Sequence, residues 1–186
     1  MNREENIATK AKELVIKYFD KSGDCALSTF LAIVDAFRLD GVELFTQKEE
    51  EKISKGVAVL EGGTAGEGFG TCGACISACF IIAYVSGVET KEIFEHPHHR
   101  HHVAKNAIKY ITSKFMKEWA SICCIDIRYR RGGRAYSFTN PDSMEEARRF
   151  KIANPELCGA ATTHSVPAMA VGWAIEGVCD IMGIKQ

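Results

Sequence analysis

The apolar stretch at residues 74–85 constrains the fold more than any other feature of the sequence. It contains no charged side chain, and Ser77 lies within it. As a helix it would be about 18 Å long, which is too short to span a bilayer. A helix that is apolar on nearly every side is buried among other elements. We therefore predict a central buried helix over about residues 72–85, ended by Ser86 and Gly87.

Amphipathic patterns on both sides of this stretch predict further helices. Apolar residues recur at helical spacing over residues 7–19, and Gly23 ends that pattern. The last helix is predicted to begin near Ser165, while residues 122–130 leave open one short strand pair. Four side chains suited to capping precede other helical patterns: Asp24, Thr46, Thr71 and Ser143. The sequence therefore predicts one all-α domain over residues 1–186, with six or seven helices.

Composition and charge exclude several classes of protein. The chain has 186 residues, of which 46% are hydrophobic and 25% are charged, as in ordinary globular proteins. Its formal net charge of −1 provides no attraction to nucleic acid or to an anionic membrane. Residues 1–5 lead directly into an amphipathic pattern, without the apolar core of a signal peptide. We expect a cytoplasmic protein with neither nucleic acid nor membrane as a partner.

The cysteine content is unusual for such a protein. Eight cysteines occur, at positions 25, 72, 75, 79, 123, 124, 158 and 179. This density is below that of small disulfide-stapled domains, and cytosolic thiols are kept reduced. The cysteines therefore indicate metal binding or redox chemistry rather than a static disulfide framework.

Two of the cysteines are predicted to lie at the starts of helices. Cys72 opens the central helix, and Cys25 follows the capping residue Asp24. Backbone N–H groups and the helix dipole stabilise a thiolate at such positions. Residues 61–70 contain five glycines, so this backbone can approach sulfur closely and donate N–H groups to it. These features suit a nucleophilic thiolate, and they also suit the sulfurs of an iron–sulfur cluster.

The remaining cysteines are less informative. Cys75 and Cys79 share one helix face with Cys72, but buried cysteine is often only a small hydrophobic residue. We favour this packing role for Cys79 and Cys179. Residues 72–75 form a C-x-x-C motif, yet neither the βαβ context of thioredoxins nor a second pair for structural zinc accompanies it. Adjacent side chains diverge, so only one cysteine of the pair at positions 123 and 124 is expected to join a site.

The order of the cysteines resembles that of a known family. Its matching residues are Cys25-Ala26, the glycine-rich stretch, Thr71-Cys72-Gly73-Ala74, the pair Cys123-Cys124, and Cys158. They resemble the redox-active proteins named for their C_GCAxxG_C_C pattern, over about residues 10–180. The resemblance implies a helical, redox-active protein whose pattern cysteines are Cys25, Cys72, Cys124 and Cys158.

The resemblance also implies a cofactor. The family is similar to the cluster-bearing part of split-Soret cytochromes c, which hold an iron–sulfur centre beside haem. An iron–sulfur cluster held by the four pattern cysteines is therefore expected, with Cys75 as the alternate ligand. The chain has no C-x-x-C-H motif, so covalent c-type haem is not expected. Ser77 replaces the final glycine of the family motif, and Cys75 and Cys79 are additional, which leaves the cluster type open.

Two further segments carry side chains that bind metals or anions. His96–His102 contains five of the six histidines, and His164 follows Cys158 by six residues. The histidine tract is either a solvated loop or a metal-binding segment. His164 is either a helix-capping residue or a ligand of the cluster. Four arginines and two tyrosines form a basic segment that is either solvated or docks an acidic partner or a phosphate: Arg128, Tyr129, Arg130, Arg131, Arg134 and Tyr136.

Three functional hypotheses follow from the sequence. The first is a redox protein that transfers electrons through an iron–sulfur cluster. The second is a cofactor-free thiol–disulfide enzyme in which Cys72 attacks and Cys75 or Cys25 resolves the mixed disulfide. The third is a transition-metal-binding protein that uses the same cysteines and the histidine tract. The sequence identifies no redox partner protein, and a homodimer is compatible with the apolar central helix.

Overall fold

The computed structural model describes residues 2–136, 140–154 and 162–184. The described residues form an all-α fold, which confirms the predicted fold class. The helices are α1 (Arg3–Ser22), α2 (Cys25–Leu39), α3 (Gln47–Val57), α4 (Gly73–Val85), α5 (Thr90–Glu95), α6 (Arg100–Ala107), α7 (Ser113–Trp119), α8 (Cys124–Gly132), α9 (Pro141–Ala153) and α10 (Val166–Met182). A π-helical turn, Ile108–Thr112, joins α6 to α7.

The predicted central helix is α4, and it packs against α2, α10 and α6. Most of its residues are buried, but Phe80 and Tyr84 are 38% and 46% exposed. One side of this apolar helix therefore reaches the surface. Helix α1 covers α2 and α10 on the far side, through the fully buried Ile7 and Ala11. No helix in the described part of the chain is long and apolar enough to cross a membrane.

Two of the four predicted capping residues, Asp24 and Thr46, cap helices as expected. Asp24 accepts hydrogen bonds from the backbone N–H groups of Ala26 and Leu27, and Thr46 forms a capping box with Glu49. Ser165 caps α10. Each of these side chains satisfies N–H groups that the helix itself leaves without partners.

Two predicted caps were wrong. Cys72, rather than Thr71, is the N-cap of α4, because Thr71 is held in an isolated antiparallel bridge with Cys123. Asn140, rather than Ser143, caps α9, with Pro141 in the first turn of the helix. For residues 122–130 the sequence left a short strand pair open. Among the described residues, this single bridge is the only β-pairing, and the segment continues as helix α8.

Close packing at Gly177 of α10 gives a test of the core. A Cβ atom there would lie 2.6 Å from Ile82 Cδ1 and 2.7 Å from Tyr110 Cγ, so Gly177→Ala forces α10 away from its neighbours. We expect this variant to lose about 1–3 kcal/mol of unfolding free energy in urea titrations. The matched control is Gly172→Ala on the same helix, where only the flexible end of Lys12 lies nearby, at 3.2 Å. That variant is expected to be neutral or slightly stabilised, and equal losses in both would contradict the described packing.

Candidate functional site

Three of the predicted site cysteines lie at the starts of three different helices. Cys25 is the first residue of α2, Cys72 is the N-cap of α4, and Cys124 is the first residue of α8. Cys72 and Cys124 are each 2% exposed, while Cys25 is half-buried. The N-terminal ends of helices carry partial positive charge and N–H groups without helical partners. All three cysteines therefore lie at helix N-termini, where backbone N–H groups and the helix dipole are close to the side chain.

The starts of α2 and α4 are in direct contact. A Cβ atom at Gly73 would lie 2.7 Å from Cys25 Sγ and 3.0 Å from the Leu60 carbonyl oxygen. Residue 73 must therefore be glycine for the sulfur of Cys25 to rest against the first turn of α4. Since Cys72 precedes Gly73, this contact places Cys25 beside the backbone of Cys72.

The start of α8 is joined to the start of α4 by backbone hydrogen bonds. Cys72 N donates to Ile122 O at 2.8 Å, and Cys124 N donates to Gly70 O at 3.0 Å. The next amide, Ile125 N, donates to Gly68 O at 2.8 Å. This short paired segment holds Cys72 and Cys124 on neighbouring backbones. The two cysteines are far apart in the sequence, so their proximity depends on this pairing and could not be predicted from local sequence patterns.

The glycine-rich loop at residues 61–70 packs against the same helix starts. Its residues 62–66 all have positive φ, including Thr64 at 71° and Ala65 at 52°. A Cβ atom at Gly63 would lie 2.8 Å from Cys124 Cβ, so the bare backbone lies directly against that cysteine. Left-handed backbone conformations and close approach both favour glycine here.

Backbone hydrogen bonds within the loop limit its role as a donor to sulfur. Gly66 N, Gly68 N and Gly70 N donate to the carbonyl oxygens of residues 61, 62 and 63, at 2.8–3.1 Å. These three N–H groups are therefore committed to the loop itself. The predicted donation of N–H groups to sulfur must come from other residues of the loop or from the helix starts.

A cavity of about 430 Å³ adjoins Cys25 and Cys124. The loop contributes Glu61, Gly62, Ala65 and Gly66 to its wall, and α9 contributes a face that sequence reasoning missed. The residues of that face are Met144, Ala147 and Phe150, three positions apart, which is a helical spacing that could have indicated it. Burial, together with the neighbouring Asp24, raises the pKa of Glu61.

Among the described residues, the other cysteines, Cys72 included, do not line this cavity. The Cys123 thiol contacts the Gly68 and Phe69 carbonyl oxygens at 3.5 and 3.4 Å, so of the adjacent pair only Cys124 borders the cavity. Cys75 is fully buried in the core, and its pKa is raised by its hydrogen bond with Cys79 and by burial. In α10, burial raises the pKa of Cys179 to about 11, in keeping with a packing role.

The fourth pattern cysteine, Cys158, lies outside the described residues. Asn154, four positions before it, lines the cavity, and the described chain resumes at Thr162. His164 is exposed, and its carbonyl oxygen accepts a hydrogen bond from Arg131 at 3.1 Å. Among the described residues, no group of three His, Cys, Asp or Glu side chains has the arrangement of a metal site.

The histidine tract is a surface feature. His96, His98 and His99 have ring centroids 4.5–5.9 Å apart, and His99 Nδ1 lies 2.5 Å from Glu92 Oε1. The tract is partly helical, because the short turn Pro97–His99 leads directly into α6. It is separate from the residues that line the cysteine cavity.

The basic segment divides between the interior and the surface. Arg128 is 9% exposed, and its guanidinium donates to Tyr136 O at 2.8 Å and lies over the Tyr136 ring. Arg128 and Arg134 line the cavity. Tyr129, in contrast, is 62% exposed. The interpretation of this segment as a solvated loop therefore fails for Arg128 and Tyr136.

The capping carboxylate beside Cys25 gives a prediction for pH dependence. Burial raises the pKa of Asp24 despite its hydrogen bonds from Ala26 and Leu27. Because the folded pKa is the higher one, the carboxyl favours the fold below its unfolded pKa of about 3.9, and this contribution is lost as pH rises. Asp24→Asn keeps the acceptor and carries no charge, so its stability relative to wild type should increase from pH 3 to pH 7. Urea titrations across this range measure the difference. As a control, Asp24→Ala removes the cap and should cost about 1 kcal/mol of unfolding free energy. If the difference in unfolding free energy between Asp24→Asn and wild type did not change with pH, the burial argument would be contradicted.

Comparison with known proteins is consistent with this arrangement of cysteines. The family model "Putative redox-active protein (C_GCAxxG_C_C)" matches residues 23–171. The chain belongs to the C_GCAxxG_C_C family. No curated protein and no solved structure gives a significant match. The matched region of this C_GCAxxG_C_C protein extends from before Cys25 to beyond Cys158, so all four pattern cysteines lie within it.

Ser77, which the sequence comparison of motifs placed at the final glycine of the pattern, lies in the core of this C_GCAxxG_C_C protein. Ser77 is fully buried on α4, and its hydroxyl has no hydrogen-bond partner among the described residues. A buried hydroxyl without a partner destabilises a fold. Ser77 therefore bears on helix packing rather than on the cysteine cavity, whose described lining does not include it.

Proposed function

We propose that this protein binds an iron–sulfur cluster through Cys25, Cys72, Cys124 and Cys158 and transfers electrons with it. The observation that carries the proposal is the meeting of three helix starts, each bearing one pattern cysteine, around the glycine-rich loop. Family membership supports redox chemistry in general. The choice of an iron–sulfur cluster follows from the resemblance, expected from the sequence, to the cluster-bearing part of split-Soret cytochromes c.

The donor set suits such a cluster. Thiolates are the ligands that iron–sulfur clusters take, and positive helix ends stabilise their negative charge. In the sequence, Cys158 follows Asn154 by four positions and precedes Thr162 by four. Asn154 lines the cavity beside Cys25 and Cys124, so the chain leaves the edge of that cavity shortly before Cys158 in the sequence. When bound, the cluster would supply one-electron transfer, while the helix starts hold the thiolates.

Cofactor-free thiol chemistry is the second candidate, and the contact between Cys25 and Gly73 favours one version of it. The Cys72 thiolate would attack a substrate disulfide and release one substrate thiolate. The Cys25 thiolate would then attack the mixed disulfide, which releases the second thiolate and leaves a Cys25–Cys72 disulfide. Cys75 is a poor resolving residue, because its hydrogen bond with Cys79, together with burial, raises its pKa and so disfavours the thiolate that resolution requires.

Iron and sulfide content separates these functions. The untagged protein is purified anaerobically, reconstituted with ferrous iron and sulfide, and assayed for both elements and for visible absorption. We expect iron and sulfide in wild type, their loss in Cys72→Ser, and their retention in the control Cys179→Ala. A folded wild-type protein without iron or sulfide would overturn the cluster proposal. In that case a Cys25–Cys72 disulfide, detected by mass spectrometry, would support the thiol enzyme.

A further inference from the structure

The walls of the cavity beside Cys25 and Cys124 are largely apolar. Phe19, Met144 and Phe150 line it, and the rings of Tyr136 and Phe150 lie 5.7 Å apart at an angle of 48°. Its volume of about 430 Å³ lies within the range of small-molecule sites, about 300–1,000 Å³. Apolar and aromatic walls of this size suit a flat organic molecule rather than a metal ion alone.

The charged groups in the wall are mostly basic. Arg128, Arg134 and Arg148 line the cavity, whereas Glu61 is the only acidic residue among the described lining residues. Arg148 is paired with Glu145 through two hydrogen bonds, of 2.8 and 3.0 Å. Within the described ranges, Arg134 has neither a hydrogen bond nor an ion pair. An anionic group in the cavity would therefore gain a charge-assisted contact at Arg134 without breaking an existing one.

We infer that this cavity binds a small organic anion with a flat apolar body, held by Arg134 and by the apolar and aromatic walls. The carboxylate or phosphate group would lie at Arg134, and the apolar body would lie between the loop and α9. The bound molecule would then adjoin Cys25 and Cys124, the redox site proposed above. This inference goes beyond the proposed electron transfer and does not require a cluster, because none of its contacts involves iron.

Calorimetric titration of the full chain with three probes tests the inference. The probes are 2-naphthoate, 2-naphthyl phosphate and the uncharged 2-naphthamide. We expect at least one anion to bind about tenfold or more tightly than the amide, and its identity distinguishes a carboxylate site from a phosphate site. Arg134→Gln should remove most of this preference. Arg130→Gln is the matched control, because Arg130 is exposed on α8 and does not line the cavity.

A variant that fills the cavity provides a second readout. Ala147→Phe places a ring in the wall formed by α9, and it should weaken all three probes by about tenfold or more while helix content is retained. The inference is overturned if no probe saturates, if the amide binds as tightly as both anions, or if Arg130→Gln and Arg134→Gln have equal effects. Iron content is measured on the same samples. If a probe binds to protein that contains no iron, only the cluster proposal is contradicted. If the protein contains iron but binds no probe, only the inference of an organic-anion site is contradicted.

Discussion

Gly63→Ala is expected to reduce the free energy of unfolding by about 2–5 kcal/mol. Two costs add at this position. Residue 63 has φ of +79°, which is unfavourable for any residue with a side chain. The new Cβ would also lie 2.8 Å from Cys124 Cβ and 2.9 Å from the Gly68 carbonyl oxygen, and neither neighbour is the end of a flexible side chain.

Gly41→Ala separates the two costs. Gly41 has nearly the same φ, +80°, but a Cβ atom added there would have no neighbour within 4 Å. This control should lose only the conformational part, about 1 kcal/mol. Urea unfolding followed by circular dichroism measures both variants. Equal losses in the two proteins would show that the loop does not pack against Cys124 as described.

Cys124→Ser is expected to lower the affinity for iron after reconstitution by about tenfold or more, whereas Cys123→Ser should remain close to wild type. Of these two adjacent cysteines only Cys124 borders the cavity, and its backbone N–H donates to Gly70 O at 3.0 Å. The Cys123 thiol contacts the carbonyl oxygens of Gly68 and Phe69, contacts that a serine hydroxyl can also make.

Iron titration of the two serine variants compares adjacent residues with the same chemical change. Thermal unfolding of both proteins without metal checks that the substitutions alter ligation rather than folding. A larger loss of iron in Cys123→Ser than in Cys124→Ser would contradict the assignment of the site. Equal retention of iron in both would remove residue 124 from the ligand set.

Local signals in the sequence predicted much of the helical architecture. Helical periodicity and the caps at Asp24 and Thr46 define α1 to α3, because these interactions involve residues only a few positions apart. The cap at Thr71 was mispredicted because its backbone pairs with Cys123, more than fifty residues away. No local pattern contains that pairing.

The sequence predicted only part of the candidate site. Helix-start reasoning identified Cys25 and Cys72 from nearby residues alone. It did not assign a helix start to Cys124, because the alternation in residues 122–130 is typical of a strand as well. The contribution of Arg134 and α9 to the cavity depends on tertiary packing, which becomes visible only when distant segments are brought together.

X-ray absorption at the iron edge, on anaerobically purified and untagged protein, tests the central claim most directly. The account predicts iron surrounded by sulfur, with a second shell of iron scattering, and loss of the signal in Cys72→Ser. Thiolate and sulfide ligation of this kind requires several cysteines to meet at one site. Iron bound only by nitrogen and oxygen, or no iron in a folded and reconstituted protein, would contradict it.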